Sequence, residues 1–406
     1  MSMAAAIEVK GWCPGVLRPM QSGDGLIARV RPWCGALRLD EARGVAEAAR
    51  RFGNGHIDLT RRANLQIRGL SEKSVPRLQD AMERLGLVDH DAEVEAGRNI
   101  MVSPLTGLDP AEVDVRPVAR TLANLLARDT ALYALPSKFG FLVDGGGAVS
   151  IAPERADISL KALGRAMAVG LDTPAGTDWI GSTPFDMAAA VVVAIARMFI
   201  DLARERGRLR DLGEERFRQL RALACKGLGP VGDGLSIKPK RLVGVERLVA
   251  GVAAPFGRLE APQLHRFAAL AEEAGAADIR LSPWRALYVG VRDVAAAQIL
   301  VEASRDIGFI VDPEDPTLRI DACPGAPACR ASSVDTRRDA LRLATMAFAG
   351  TIHISGCAKG CARSAPADLV LVGEQGRYGV IRNGTTRDVP ECSVEAEEAG
   401  ALLDVR

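Results

Sequence analysis

Hydrophobic and polar positions follow one recurring pattern along two stretches of the chain. In the first stretch, residues 26–30 alternate, residues 41–52 have helical spacing, residues 57–67 alternate and residues 75–85 are helical again. This order predicts a strand, a helix, two strands and a second helix. The same order recurs in the second half, so the pattern predicts an α/β or α+β fold in which strands and helices form separate layers.

An internal repeat explains why the two stretches are alike. Five positions recur 222 residues later (248 minus 26): Leu26, Ala28, Val30, Gly35 and Leu37 match Leu248, Ala250, Val252, Gly257 and Leu259. The same offset places HIDLTRRANLQI, which begins at His56, over DIRLSPWRALYV, which begins at Asp278. So many matches at one spacing indicate that the chain arose by duplication.

Weaker similarities extend the repeat beyond these units. The segment from Arg98 to Pro104 resembles that from Arg319 to Pro324, and the segments before Gly145 and Gly356 are also alike. Each half is therefore predicted to contain a small α/β unit followed by a larger α/β lobe. The predicted boundaries are an N-terminal arm at 1–24, small units at 25–95 and 247–314, lobes at 96–226 and 315–406, and a connection at 227–246.

Composition and charge add few restrictions. The chain has 406 residues, of which 48% are hydrophobic and 25% charged, as in soluble proteins of more than one domain. Its net charge is +1, so neither nucleic acid nor a membrane is an expected partner, and an anionic ligand would need a local group of cations.

The expected location is the cytoplasm. The N-terminus MSMAAAIEVKGWCPG lacks the pattern of a signal peptide. The most apolar run, Met187 to Ile200, contains Arg197 and is too short to span a membrane, so it predicts a buried helix. In a reducing compartment the eight cysteines are not expected to form disulfides.

Four cysteines form two spaced pairs near the C-terminus. Cys323 and Cys329 lie in CPGAPAC, and Cys357 and Cys361 lie in CAKGC. Four thiolates suit a [4Fe–4S] cluster, because each iron needs one external soft ligand. On spacing alone, structural zinc and chance burial remain alternatives, although zinc ligands are usually paired more closely.

The other four cysteines are not spaced in pairs. Packing or a free thiol is the expected role of Cys13, Cys34, Cys225 and Cys392. The repeat places Ser103 and Asp109 opposite Cys323 and Cys329. The cluster is therefore predicted in the second half only.

A polar series in the first half is a candidate anion site. In TRRANLQIRG, strand alternation would direct Ala63, Leu65 and Ile67 into a core and would place four polar side chains on the opposite face: Arg62, Asn64, Gln66 and Arg68. Such a face suits several carboxylates, which arginine can bind through two hydrogen bonds. A solvated edge strand is the alternative.

The matching face of the second copy is aromatic and small, with Trp284, Ala286, Tyr288 and Gly290, and could face a flat ring system. Arg98 and Lys138 add cations at loop positions. The four histidines show no ligand spacing, and His353, on an apolar strand, is expected to be structural.

Together, the duplication, the C-x5-C and C-x3-C pairs and these cations resemble the sulfite and nitrite reductase superfamily along nearly the whole chain. The resemblance implies a pseudo-twofold duplication of a ferredoxin-like half-domain plus an α/β lobe. It also implies that Cys323, Cys329, Cys357 and Cys361 bind a [4Fe–4S] cluster, with Cys361 nearest a tetrapyrrole. Arg62, Arg98 and Lys138 match cations that face the anionic substrate of the sulfite reductases, which implies a catalytic role for them. A second lysine of those enzymes is replaced here by Gly140.

The segments GWCPGVLRPMQSGDGLIARV and GNGHIDLTRRANLQIRGL are similar to the precorrin-3B synthases, the aerobic cobalamin-pathway branch of this superfamily. This similarity implies an iron–sulfur monooxygenase that uses O2 to hydroxylate precorrin-3A and close a lactone. It implies an electron-donor protein or reductase using NADH, and a mononuclear non-haem iron whose ligands no histidine spacing locates. The implied substrate-binding residues are Arg62, Asn64, Gln66, Arg68, Arg98 and Lys138. The alternatives are a siroheme-dependent sulfite or nitrite reductase and an electron-transfer or tetrapyrrole-carrier protein.

Overall fold

A computed structural model describes residues 12–203, 207–232, 235, 242–346 and 348–403. Parts of the predicted arm (1–11) and of the predicted connection (233–234 and 236–241) lie outside the described residues.

The sheets are built from strands of three to nine residues. Over the described residues they are β1 (Met20–Ser22), β2 (Gly25–Val30), β3 (Ala36–Arg38), β4 (His56–Leu59), β5 (Leu65–Leu70), β6 (Ile100–Val102), β7 (Phe141–Asp144), β8 (Ile158–Leu163), β9 (Ala166–Thr173), β10 (Gly176–Pro184), β11 (Gly244–Glu246), β12 (Val249–Ala253), β13 (Arg258–Glu260), β14 (Asp278–Leu281), β15 (Ala286–Gly290), β16 (Ile320–Ala322), β17 (Ile352–Ser355), β18 (Ala367–Glu374), β19 (Arg377–Gly384) and β20 (Cys392–Glu395).

The helices connect these strands. In the same part of the chain they are α1 (Leu39–Phe52), α2 (Val75–Arg84), α3 (Ala92–Gly97), α4 (Arg116–Arg128), α5 (Ala188–Leu202), α6 (Glu214–Ala224), α7 (Ala261–Glu273), α8 (Val294–Asp306) and α9 (Thr336–Ala344).

The two small sheets exchange one strand each. The first sheet has the order β1-β2-β5-β4-β13, and the second has the order β11-β12-β15-β14-β3. Strand β3 of the first half thus forms the edge of the second sheet, and β13 of the second half forms the edge of the first sheet. The backbone also repeats: Ala63 and Arg285, 222 residues apart (285 minus 63), both have positive φ, at 52° and 61°. The predicted α+β fold with duplicated halves is confirmed.

Helices α1, α2, α7 and α8 cover one face of both sheets. Their apolar sides supply Val45, Leu78, Phe267 and Leu300 to one core shared by the two halves. The spacing of these apolar residues explains why the helices form, because an amphipathic helix is stabilised mainly by burying its apolar side. The opposite face of each sheet is left for the lobes.

Each lobe is built on a mixed sheet. The first has the order β10-β9-β8-β7-β6 and the second the order β16-β17-β18-β19-β20. Strands β6, β7 and β8 are parallel to one another, as are β16, β17 and β18. The carboxyl ends of parallel neighbours lie at one edge of a sheet, so the loops that follow them are brought together.

The two strands predicted over residues 57–67 are present, but the expectation that Arg62 to Arg68 share one strand is wrong, because a turn at residues 60–64 separates β4 from β5. The Thr60 hydroxyl accepts hydrogen bonds from the backbone N–H groups of Arg62 and Asn64, both at 3.2 Å. A threonine side chain that satisfies the following N–H groups favours a turn over strand pairing. Arg62 and Asn64 are therefore turn residues, whereas Gln66 and Arg68 lie on β5.

The expectation that the second sheet faces a flat ring is also wrong. Tyr288 is fully buried and packs with Met101 and Leu142 of the first lobe. A side chain on Gly290 would meet Leu108 at 2.8 Å. The first lobe therefore already covers this apolar face, because burying it removes apolar surface from water.

The apolar run after Met187 forms α5, which buries Val192, Ile195 and Phe199 against the first lobe. No helix in the described part of the chain is long and apolar enough to cross a membrane.

Candidate tetrapyrrole and iron–sulfur site

The four predicted cluster cysteines lie in two loops at one edge of the second lobe. Cys323 follows β16, and Cys357 follows the parallel neighbour β17. The backbone N–H of Cys323 donates to the Ile354 carbonyl at 3.2 Å, and the N–H of Gly356 donates to the Cys323 sulfur at 3.2 Å. Hydrogen bonds thus join the two loops and orient one thiol.

The thiols lie close enough to influence one another. Burial raises the pKa of Cys361 to about 11; Lys359 opposes this rise, and the other three thiols add to it. Burial also raises the pKa of Cys357, and Cys329 and Cys323 contribute to that rise. Neighbouring thiols that disfavour one another's ionisation are stabilised as thiolates when they bind cations, because the metal removes the cost of the charge.

The donor set is compatible with a cluster. No three Cys, His, Asp or Glu side chains among the described residues lie close enough to hold one metal ion, as a tetrahedral zinc site requires. A [4Fe–4S] cube takes one thiolate at each of its irons and spreads its ligands around a larger object. Four soft thiols in two joined loops are compatible with that arrangement.

A row of polar side chains crosses the open face of the first sheet. Register pairs Arg29 of β2 with Gln66 of β5, Gln66 with Asp58 of β4, and Asp58 with Arg258 of β13. Directly opposed residues of antiparallel strands share a face, so these four side chains project together. The equivalent row of the second sheet is Gly251, Tyr288, Arg280 and Ala36.

One carboxylate organises the cations at the end of this row. Asp58 accepts hydrogen bonds from Arg68 at 3.2 Å, from Arg258 at 2.9 Å and from Arg337 of α9 at 3.1 Å. Burial opposes ionisation, but the three guanidinium groups together hold the pKa of the Asp58 carboxyl far below its usual value. With Asp24 as a further partner of Arg68, cations still outnumber carboxylates at this end of the face.

Arg68 connects the sheet to the cluster loops. Its guanidinium also donates to the Ala328 carbonyl at 3.2 Å, one residue before Cys329. Gly23, in the turn between β1 and β2, approaches the same carbonyl so closely that a side chain on Gly23 would lie 2.7 Å from it. The cationic face and the cysteine loops are therefore in direct contact.

Arg62 lies at the other end of the face and reaches the first lobe. Its Nη2 donates to the Lys138 carbonyl at 3.3 Å, while the Lys138 side chain is exposed. Burial and the neighbouring Arg208 lower the pKa of Arg62 from its ordinary value. Its Nη1 is buried and has no hydrogen-bond partner among the described residues. A buried guanidinium N–H without a partner is a strong donor for an anionic ligand.

Arg98 and Asn64 line one cleft with Arg31 and Trp33. Arg98 is already engaged: it pairs with Asp89 at 2.9 Å, donates to the Arg31 carbonyl at 2.7 Å and stacks on Trp33 at 4.0 Å. The geometry brings Arg62 to Lys138, Asn64 to Arg98, and Gln66 to Arg68. It does not bring all six predicted binding residues to one point.

Several residues of this face are absent from the sequence-based set. Arg29 could have been found, since it alternates with the buried Ala28 and Val30. Arg258 and Arg337 could not, because the strand exchange and the packing of the second lobe bring them to Asp58. Cys13, for which packing or a free thiol was expected, lies close enough to Arg29 to oppose the fall that burial causes in the pKa of Arg29.

The first lobe has a carboxyl group where the second lobe has its cysteines. The Gly145 N–H donates to the Ser103 hydroxyl at 2.9 Å, as the Gly356 N–H does to Cys323. Ser103 in turn donates to Glu112, which is 6% exposed. Burial raises the pKa of Glu112 to about 8; the hydrogen bond from Ser103 opposes this rise, and the Asp144 and Asp109 carboxylates add to it.

The histidines form no shared site in the described residues. His56 pairs with Glu260 at 2.9 Å, and His90 pairs with Asp91 at 3.0 Å. His353 is fully buried on β17, and burial lowers its pKa to about 4. The described residues thus offer no ligand set for the mononuclear iron that the resemblance implies.

Comparison with known proteins agrees with this architecture. Residues 18–85 and 244–301 match the nitrite/sulfite reductase ferredoxin-like half-domain, once in each half. The solved structure of the NirA protein of Mycobacterium tuberculosis superposes with a TM-score of 0.76 at 22% identity, covering 93% of this chain and 79% of that one. This likeness supports the fold.

Two curated relatives extend along nearly the whole chain. A ferredoxin–nitrite reductase of Synechococcus elongatus is 25% identical over 417 residues, covering 90% of this chain and 79% of its own. A precorrin-3B synthase of a Sinorhizobium species is 33% identical over 405 residues, covering 97% of this chain and 87% of its own. This group of proteins implies an iron–sulfur cluster, a tetrapyrrole and an electron-donor partner. The chain therefore belongs to the nitrite/sulfite reductase superfamily and, within it, to the precorrin-3B synthase family.

Proposed function

We propose that this protein is an oxidoreductase that converts precorrin-3A to precorrin-3B with O2 in aerobic cobalamin biosynthesis. The observation that carries the proposal is the cationic face of the first sheet, which lies between the cysteine loops and the first lobe. A tetrapyrrole with many carboxylates is the kind of ligand that this excess of buried guanidinium groups stabilises. The 33% identity to a precorrin-3B synthase over 97% of the chain favours this activity over nitrite reduction at 25%.

Different residues of the site bind different parts of the substrate. Arg62 offers its guanidinium, whose buried Nη1 has no hydrogen-bond partner among the described residues, to a substrate carboxylate, and Lys138 adds an exposed ammonium at the same edge. Arg68 and Gln66 bind at the end nearest the cysteine loops, where Asp58 holds Arg68 in place. Arg98 and Asn64 line the cleft at the first lobe. Charged groups fixed in advance by ion pairs orient a ligand without reorganising, which favours both binding and reaction.

The redox chemistry requires a cofactor. Cys323, Cys329, Cys357 and Cys361 are proposed to hold a [4Fe–4S] cluster, which supplies single electrons when bound. The overall reaction places one oxygen atom of O2 on a ring carbon and releases the other as water, with two electrons that come ultimately from NADH through a donor protein. A mononuclear iron remains a separate prediction, tested by iron content above that of the cluster.

Anaerobic purification followed by an absorption spectrum and an oxygen-dependent assay tests the proposal. We expect a broad iron–sulfur absorption without siroheme bands, and conversion of precorrin-3A that depends on O2 and on a reductant. Stoichiometric siroheme bands with turnover of nitrite or sulfite would instead support the reductase alternative and refute this proposal.

Arg62→Ala tests the binding face separately. Loss of a charge-assisted hydrogen bond should weaken precorrin-3A binding by about tenfold or more. Arg84→Ala, which removes an exposed arginine of α2, is the matched control and should leave affinity unchanged. Equal affinities for the two variants would remove Arg62 from the site.

A further inference from the structure

The backbone at Gly140 does not require glycine. Gly140 is absent from the positive-φ glycines of the described residues, so its φ lies in a region that other residues adopt. Its N–H donates to the Asp157 carboxylate at 2.8 Å, and its carbonyl accepts from the Asp157 N–H at 2.8 Å. An alanine could keep both hydrogen bonds, so conformation does not explain the missing side chain.

The space beside Gly140 is occupied by Arg62. A Cβ atom at position 140 would lie 2.4 Å from Arg62 Nη1 and 3.0 Å from the Asn99 side-chain nitrogen. The first distance is far below any van der Waals contact, so one group would have to move. The guanidinium therefore occupies space that exists only because position 140 has no side chain.

Only one of these neighbours can move easily. Asn99 is held by its hydrogen bond to the Phe139 carbonyl at 2.9 Å, and the backbone at 140 is held by Asp157. Asp157 itself is fully buried and pairs with Arg208 at 2.6 Å. Arg62 is the flexible partner: among the described residues its guanidinium is anchored by one hydrogen bond, to the Lys138 carbonyl at 3.3 Å. A side chain at 140 would displace the Arg62 guanidinium.

We propose that Gly140 is a specificity-determining position: it lets the Arg62 guanidinium lie on the backbone of residues 138–140 and holds it there to bind a substrate carboxylate. The inference rests on the proposed function and deepens it, because it assigns an acetate or propionate group of the tetrapyrrole to this donor. A side chain at position 140 would take the place of the guanidinium. Gly140 acts through Arg62 and is a positioning residue.

A double-mutant cycle measures the energetic coupling between Gly140 and Arg62 in substrate binding. Precorrin-3A is titrated anaerobically, so that no turnover occurs, into the cluster-loaded wild type, Gly140→Ala, Arg62→Ala and the double variant. We expect Gly140→Ala to weaken binding about tenfold in the wild-type background and less than about twofold in the Arg62→Ala background. The control is Gly97→Ala, where a side chain would have no neighbour within 4 Å, and its affinity should stay within about twofold.

The outcomes separate this inference from the proposed function. Equal losses in the two backgrounds, or unchanged affinity of Gly140→Ala, would overturn the role of Gly140 while wild-type binding still supports the tetrapyrrole substrate. No binding by the wild type would refute the proposed function itself. If Gly140→Ala unfolds and the double variant folds, the clash with Arg62 is supported; if both unfold, it is overturned.

Discussion

Replacement of Glu112 by glutamine should stabilise the protein at alkaline pH. In the folded state burial raises the pKa of Glu112 from 4.5 to about 8. The unfolded chain thus releases its proton at lower pH than the folded chain does. Between these two values the folded state binds more protons than the unfolded state, so the free energy of unfolding falls as pH rises.

The size of the effect follows from the interval between the two pKa values. One pKa unit corresponds to about 1.4 kcal/mol, so the rise from 4.5 to about 8 costs about 5 kcal/mol once both states are ionised. At pH 7 the cost is about 3 kcal/mol. Glutamine has a similar shape and no ionisable group, and it can still accept the hydrogen bond from Ser103.

Urea unfolding followed by circular dichroism at pH 5 and pH 8 measures this difference. The wild type should lose several kcal/mol more than Glu112→Gln between these two pH values. Glu72→Gln, at an exposed position before α2, is the matched control and should keep the wild-type dependence. Parallel pH profiles for the wild type and Glu112→Gln would show that Glu112 ionises without cost in the folded state.

Three further predictions concern the second lobe and the cationic face. Cys361→Ser should lose the iron–sulfur absorption, whereas Cys392→Ser on the exposed strand β20 should keep it; full absorption in Cys361→Ser would show that the ligand is misassigned. Asp58→Asn removes the buried carboxylate shared by three guanidinium groups, of which only Arg68 keeps another carboxylate partner, Asp24, among the described residues. It should cost about 3–5 kcal/mol of unfolding free energy, measured with urea at pH 7. His353 has a folded pKa of about 4, below its ordinary 6.5, so the unfolded state takes up the proton first as pH falls. The wild type should lose about 3 kcal/mol between these values and His353→Leu should not; identical acid unfolding of the two would contradict this.

The repeat and the cysteine loops could be predicted because both depend on local spacing. Apolar periodicity defined the helices, and the two cysteine pairs follow parallel neighbours, whose ends must meet. The start of β5 was misplaced because the alternation of apolar residues continues into residues 60–64 and hides the turn that Thr60 forms. No local pattern reveals that β13 joins the first sheet, so Arg258 could not be placed beside Asp58.

Gly140 shows a second limit of prediction from sequence. A glycine in a sequence indicates conformational freedom or space, and only the neighbours show which of the two is used. Here the neighbour is Arg62, which lies 78 positions earlier in the chain (140 minus 62). The sequence marks this position as unusual, and the packing supplies the reason.

The exchange of β3 and β13 has a consequence for the origin of the molecule. A single ancestral half would have lacked the edge strand of its own sheet, and a second identical copy could have supplied it. The simplest ancestor is therefore a homodimer that exchanged strands and was later joined by gene fusion. Fusion freed the two copies to diverge, so that one lobe could keep a redox centre while the other adopted a buried carboxyl group in its place.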